Sequence, residues 1–175
     1  RNLAKVEVAS SNLVSRSKKN LKAMDRKFQS LTNGAYIDLI PYLEAKLAEA
    51  NNIRMYIGSD SQTIADKTVY ALVIVLHYGN NGGHVIYSKK TLPKIHNRFT
   101  RLWNEVEDSV SLAKYLEDND LPKPAYIDVD LNPDPRYQSN TLLRAALGYV
   151  ESFGYTPRCK PYAISATYIA DKICK

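Results

Sequence analysis

Apolar residues recur along this chain at two different spacings, and the changes of spacing divide it into elements. Over 36–50, Ile37, Ile40, Leu43 and Leu47 fall three and four positions apart. That single stripe predicts a helix, with Pro41 tolerated early in it and Asn51-Asn52 ending it. Residues 53–58 alternate as a strand. Residues 68–78 are rich in β-branched and aromatic side chains, and they are too continuously apolar for a strand with one wet face, so a buried central strand is expected. The Gly-Asn-Asn-Gly-Gly run at 79–83 is a turn signal, and 84–92 returns as a strand to complete a hairpin.

Pro93 then interrupts the pattern. Phe99, Leu102, Trp103, Val106, Val110, Ala113 and Leu116 trace one face of a helix over 99–116. Polar and proline residues at 118–124 stop it, and 125–131 reads as a short strand. After a polar loop with Pro133 and Pro135, a helix is expected over 139–153, closed by Gly154. A last strand is expected within 156–162 and a last helix over 164–175. After the first helix, a strand and a hairpin are followed by alternating helices and strands. This order predicts an α/β domain with a mixed sheet and helices on its faces.

Composition changes this picture at only a few points. The chain's 175 residues fit one domain, and 45% hydrophobic with 24% charged residues excludes a fibrous or wholly disordered chain. The formal charge is +6, but residues 1–30 carry eight basic and two acidic side chains, so the bias belongs to this arm and 31–175 is close to neutral. A basic arm suits phosphate gripping, a tether to a larger protein assembly, or a solvated extension. Two cysteines, Cys159 and Cys174, make no disulfide framework. Three scattered histidines argue against a His-based metal site or a His-led triad. The longest apolar run, 69–76, is too short to span a membrane, and no signal-peptide pattern is seen, so a cytoplasmic protein is expected.

Acidic residues stand where chemistry is commonly placed. Asp60 follows the first strand in Gly58-Ser59-Asp60-Ser61-Gln62, and Asp128 lies in the short strand, with Asp130 two residues on and on the same face. In the middle helix Glu105 and Glu107 flank opposite edges of the apolar stripe, and periodicity leaves both open. Asp171 lies in the last helix. A carboxylate among Tyr126, Ile127 and Val129 needs hydrogen bonds, a counter-charge or a metal. Carboxylates converging from several elements repel one another unless a cation intervenes, and hard oxygen donors suit Mg²⁺ or Mn²⁺. Taken singly, Asp60 also suits a turn, Asp128 a lysine-paired strand end, and the helical acids a solvated face.

These residues resemble the YkuK-like bacterial proteins, predicted nucleases related to ribonuclease H. The likeness runs over 28–175, through Tyr56-Ile57-Gly58-Ser59-Asp60-Ser61-Gln62, Leu102-Trp103-Asn104-Glu105, Tyr126-Ile127-Asp128, and Lys160-Pro161-Tyr162-Ala163 leading into the last helix. The resemblance implies a ribonuclease-H-like fold, a five-stranded mixed sheet flanked by helices over 31–175. Its four acidic places fall on Asp60, Glu105, Asp128 and Asp171, as catalytic residues and ligands of Mg²⁺ or Mn²⁺. It implies a two-metal nuclease acting on RNA, DNA or RNA–DNA hybrid and leaving 5′-phosphate and 3′-hydroxyl ends. If the fold is of this kind, Lys89, Lys90, Lys94, His96, Arg98 and Arg101 border the acids, and the lysines and arginines would grip phosphates. The competing reading is a ribonuclease-H-like binding or assembly module without turnover.

Overall fold

The computed structural model describes residues 26–137, 139–163 and 165–175. Most of the basic arm, residues 1–25, lies outside them. The described chain runs β1 (Phe28–Ser30), β2 (Tyr36–Ile37), α1 (Leu39–Ala48), β3 (Arg54–Ile64), β4 (Lys67–His77), β5 (Gly83–Pro93), α2 (Arg98–Glu117), β6 (Tyr126–Val129), α3 (Asn140–Ser152), β7 (Pro157–Cys159) and α4 (Ser165–Cys174).

One sheet joins all the strands in the order β2-β1-β5-β4-β3-β6-β7. The three long strands β3, β4 and β5 are antiparallel, whereas β6 pairs parallel with β3 and β7 parallel with β6. This is the expected mixed α/β sheet, widened beyond five strands by β1 and β2. The hydrophobic stripe predicted a helix from residue 36, but Tyr36 and Ile37 pair with β1, and the helix begins at Leu39. Phe28 within β1 is 3% exposed, and Arg26 forms an ion pair with Asp108 of α2, so the chain is part of the folded body from its first described residues.

Strand alternation sends side chains to two separate cores. Met55 and Ile57 of β3, Leu72, Ile74 and Leu76 of β4, and Ile127 and Val129 of β6 meet α1, α2 and α3 on one face. Tyr56, Ala71, Val73 and Val75 meet α4 through Ala170 and Cys174 on the other. β4 is buried from Tyr70 to Leu76, as its unbroken apolar run predicted.

Two local features bring α2 to the acidic end of β3. The β3–β4 hairpin closes over Ala65 and Asp66, with Ala65 at φ 53°, a left-handed conformation that leaves only a two-residue turn. This turn accepts a hydrogen bond from the Lys94 amide to the Asp66 carbonyl (2.9 Å), and Thr68 Oγ1 accepts one from the Ile95 amide (2.9 Å). The segment before α2 is thereby tied to the hairpin tip. Asn97 then caps the helix by accepting from the Thr100 amide at 3.0 Å. Among the described residues no helix is long and apolar enough to cross a membrane.

The parallel half of the sheet hangs on the four residues of β6. Ile127 there is fully buried, and Ile127→Ala is expected to cost about 2–5 kcal/mol in urea unfolding. The same truncation at exposed Tyr36 on the edge should stay within about 0.5 kcal/mol.

Candidate acidic site at the open edge of the central strand

β6 pairs with β3 only from Tyr56 to Gly58, where Gly58 faces Asp128. Beyond that point β3 continues to Ile64 with β4 on one side only. Asp60 therefore lies within the strand, paired with Ala71, at an edge that β6 leaves uncovered. The sequence suggested a residue just past a strand, because the glycine-free hairpin turn hid how far the strand extends. An uncovered edge lets carboxylates from both faces of the sheet gather around it.

Asp60 shares its face with Tyr56, on the side of α4. Burial and the nearby charges of Asp130 and Asp171 push its carboxyl up to about 6, from 3.8. Glu105, 4% exposed, comes from α2 on the other face; burial and the charge of Asp60 raise it well above the ordinary range. Ser61 Oγ donates to Glu105 Oε1 and opposes that rise. Arg101 Nη1 donates to the Ser61 carbonyl and, at 2.8 Å, to its hydroxyl, and approaches Glu105 at 3.9 Å. Glu107, the alternative that periodicity left open, is exposed and accepts from Trp103 Nε1 at 3.0 Å. The structure thus separates the two glutamates by burial.

Asp128 and Asp130 have different surroundings. Asp128 is opposite Arg158 in the parallel register of β6 and β7. Arg158 donates from Nε at 2.7 Å and from Nη2 at 3.0 Å, a bidentate pair in which the Asp128 side chain is fully buried. The guanidinium also lies 4.7 Å and 4.9 Å from the ring centroids of Tyr56 and Tyr126. The counter-charge that a carboxylate at this position needs is thus supplied by arginine. Asp130, just past the end of β6, is the acid whose charge acts most on Asp60. Lys160 Nζ pairs with Asp130 Oδ1 at 2.6 Å. Burial opposes the lysine's charge, but Asp130, Asp60 and Asp171 together raise its pKa. Asp171 on α4 is half-exposed and pairs with Lys175 at 2.7 Å. In the sequence Asp130 stands out only as the same-face neighbour of Asp128, through their i, i+2 spacing, and no local pattern marks Lys160 or Arg158 for a role.

Glu105, Asp128 and Asp130 line a narrow cavity together with Ser59, whose buried Oγ meets no hydrogen-bond partner among the described residues. Among the described residues, no three His, Cys, Asp or Glu side chains stand close enough to hold a metal ion as they are. The donor set fits a hard divalent cation in its chemistry: all oxygen, mutually repelling, and with an unused hydroxyl nearby. Of the expected phosphate-gripping residues, Lys89, Lys90, Lys94 and Arg98 are exposed, whereas Arg101 is spent on Ser61 and Glu105. Lys89 and Lys90 point to opposite faces of β5, opposite Ala71 and Tyr70 respectively.

Two outcomes are expected for the metal-free protein. Asp60 and Glu105 ionise at higher pH when folded than when unfolded, so the folded state holds more protons. For Asp60 that contribution is full below pH 3.8 and is lost as the pH rises through about 6, and Glu105 acts in the same direction. In EDTA, Asp60→Asn should therefore raise stability at pH 8 by about 3 kcal/mol and flatten the pH dependence between 4 and 7; a loss of stability at pH 8 would contradict this. Asp128→Asn should instead cost about 3 kcal/mol, because it leaves a largely buried guanidinium without its counter-charge, and chemical denaturation distinguishes the two variants.

A family model described as ribonuclease H-like matches residues 38–175. No curated protein and no solved structure is similar enough to match.

Proposed function

Because the chain belongs to the ribonuclease H-like family, we propose that it is a divalent-metal-dependent nuclease hydrolysing phosphodiester bonds of RNA, DNA or RNA–DNA hybrid. The observation that carries this reading is the gathering of Asp60, Glu105, Asp130 and Asp171, from three elements and the loop after β6, at the open edge of β3. There, burial and mutual charge raise the Asp60 and Glu105 carboxyls. Such a cluster is costly until a cation neutralises it.

Mg²⁺ or Mn²⁺ suits these oxygen donors. Asp60 and Asp130 would hold it, with Asp171 approaching from α4 and Glu105 from α2. When bound, such ions activate water and stabilise the leaving oxygen of phosphoryl transfer. The chain's own residues set the geometry. Ser61 and Arg101 fix the Glu105 carboxyl, and Arg158 fixes Asp128, holding β6 and β7 in register. In this reading Asp128 positions Asp130 two residues on, where the family resemblance assigned Asp128 a ligand's place. Exposed Lys89, Lys90, Lys94 and Arg98 supply phosphate contacts along the hairpin and the start of α2.

The Lys160–Asp130 pair favours a second reading, a nucleic-acid-binding module without turnover, since a built-in cation already answers part of the acidic charge. Labelled single-stranded RNA, duplex DNA and RNA–DNA hybrid, each with Mg²⁺, Mn²⁺ or EDTA, separate the two. Cutting that requires metal and falls on the order of 10²–10³-fold in Asp60→Asn and Asp130→Asn is expected. Salt-sensitive binding with no cutting by the folded protein would instead establish the binding module.

A further inference from the structure

Two basic residues answer two acids at the parallel edge of the sheet, and they are built differently. Arg158 is a planar fork engaged through two hydrogen bonds, its side chain 20% exposed and its guanidinium held against two tyrosine rings. Removing it would break several contacts at once. Lys160, the first residue past β7, makes one ion pair with Asp130 at 2.6 Å, and its side chain is 47% exposed. An ammonium on a four-carbon stem is a point charge with no preferred plane, and it can leave by rotating its own side chain. Register explains why it stands there. Val129 pairs with Cys159, so the next residues of the two parallel strands, Asp130 and Lys160, emerge side by side.

The same ammonium also faces the charges of Asp60 and Asp171. It thus stands among the acids that a divalent ion would bind, at a site where no three acidic side chains of the described residues are yet gathered closely enough for one.

We propose that Lys160 is the resident counter-cation of the acidic cluster: its ammonium holds Asp130 until a divalent ion enters, and the ion displaces it. The inference rests on the metal-dependent reading of the site. It has two consequences. Lys160 lowers the apparent affinity for metal, because each ion must compete with a tethered positive charge. Its displacement also frees an ammonium at the rim of the cluster, where a substrate phosphate would lie. Lys160 is a positioning residue in the metal-free protein and becomes available for phosphate only once the ion is in place.

The test is Mn²⁺ titration of the full chain by calorimetry, comparing wild type with Lys160→Met, Lys160→Gln and Asp60→Asn. Removing the competing charge is expected to tighten Mn²⁺ binding roughly tenfold in both lysine variants, while Asp60→Asn weakens it. A second readout follows Lys160 itself. Acylation by an amine-reactive ester, read by peptide mass spectrometry, should speed up at Lys160 when Mn²⁺ is added to wild type, relative to exposed Lys94. Unchanged or weaker Mn²⁺ binding in the folded lysine variants, with binding still lost in Asp60→Asn, would overturn the role of Lys160 and leave the metal site standing. Absence of Mn²⁺ binding by wild type and by every variant would overturn both.

Discussion

Where β6 lies parallel to β3, the pairing stops after Gly58 meets Asp128, and the arrangement of the site follows from that short contact. Had β6 run on beside β3, the edge at Asp60 would be covered and the acids of the two faces would be kept apart by a layer of backbone. Because it stops, Asp60 within β3, Glu105 from α2, Asp130 past β6 and Asp171 on α4 share one rim. The stop is stable because each element around it is anchored elsewhere: β6 by buried Ile127 and Val129, α2 by its apolar stripe, and α4 by Ala170 and Cys174.

Electrostatic cost is concentrated at that rim and relieved in graded ways. Asp128 is neutralised by a bidentate arginine in a largely buried, aromatic setting. Asp130 is answered by a single half-exposed lysine, Asp171 by a solvated one, and Glu105 by a hydroxyl with an arginine behind it. Asp60 has only the Ser61 backbone and the charge of Arg101 to favour its ionised form among the described residues, and burial and its acidic neighbours still push it up to about 6. A surface patch of acids would show no such gradient, since water would screen each equally. The pattern is that of a cluster held short of full neutralisation, the condition under which the proposed divalent ion would gain most from entering.

The family and the element order were legible in the chain for local reasons. The continuous run of β4 could only be a doubly buried strand, and the glycines after it mark the β4–β5 turn, where Gly79 and Gly82 do adopt positive φ. The β3–β4 turn, made by Ala65 and Asp66, carries no glycine and was not visible; β3 therefore proved longer than its alternation suggested, and Asp60 moved from a loop into a strand. Tyr36 and Ile37 fit the helical stripe by spacing, yet a neighbouring strand offered their backbone a ladder, and spacing carries no information about neighbours.

By itself, the sequence determined which residues are apolar at which period, and hence the α/β order, the mixed sheet and a short roster of candidate acids. Tertiary structure alone decided which acids meet. Glu105 differs from Glu107 only by which edge of α2 turns towards Ser61, and Asp128 differs from Asp130 only by which has Arg158 across the register. Both choices depend on contacts between residues 30 or more positions apart. The energy of a charge is set by what surrounds it in space, and a linear pattern does not record that.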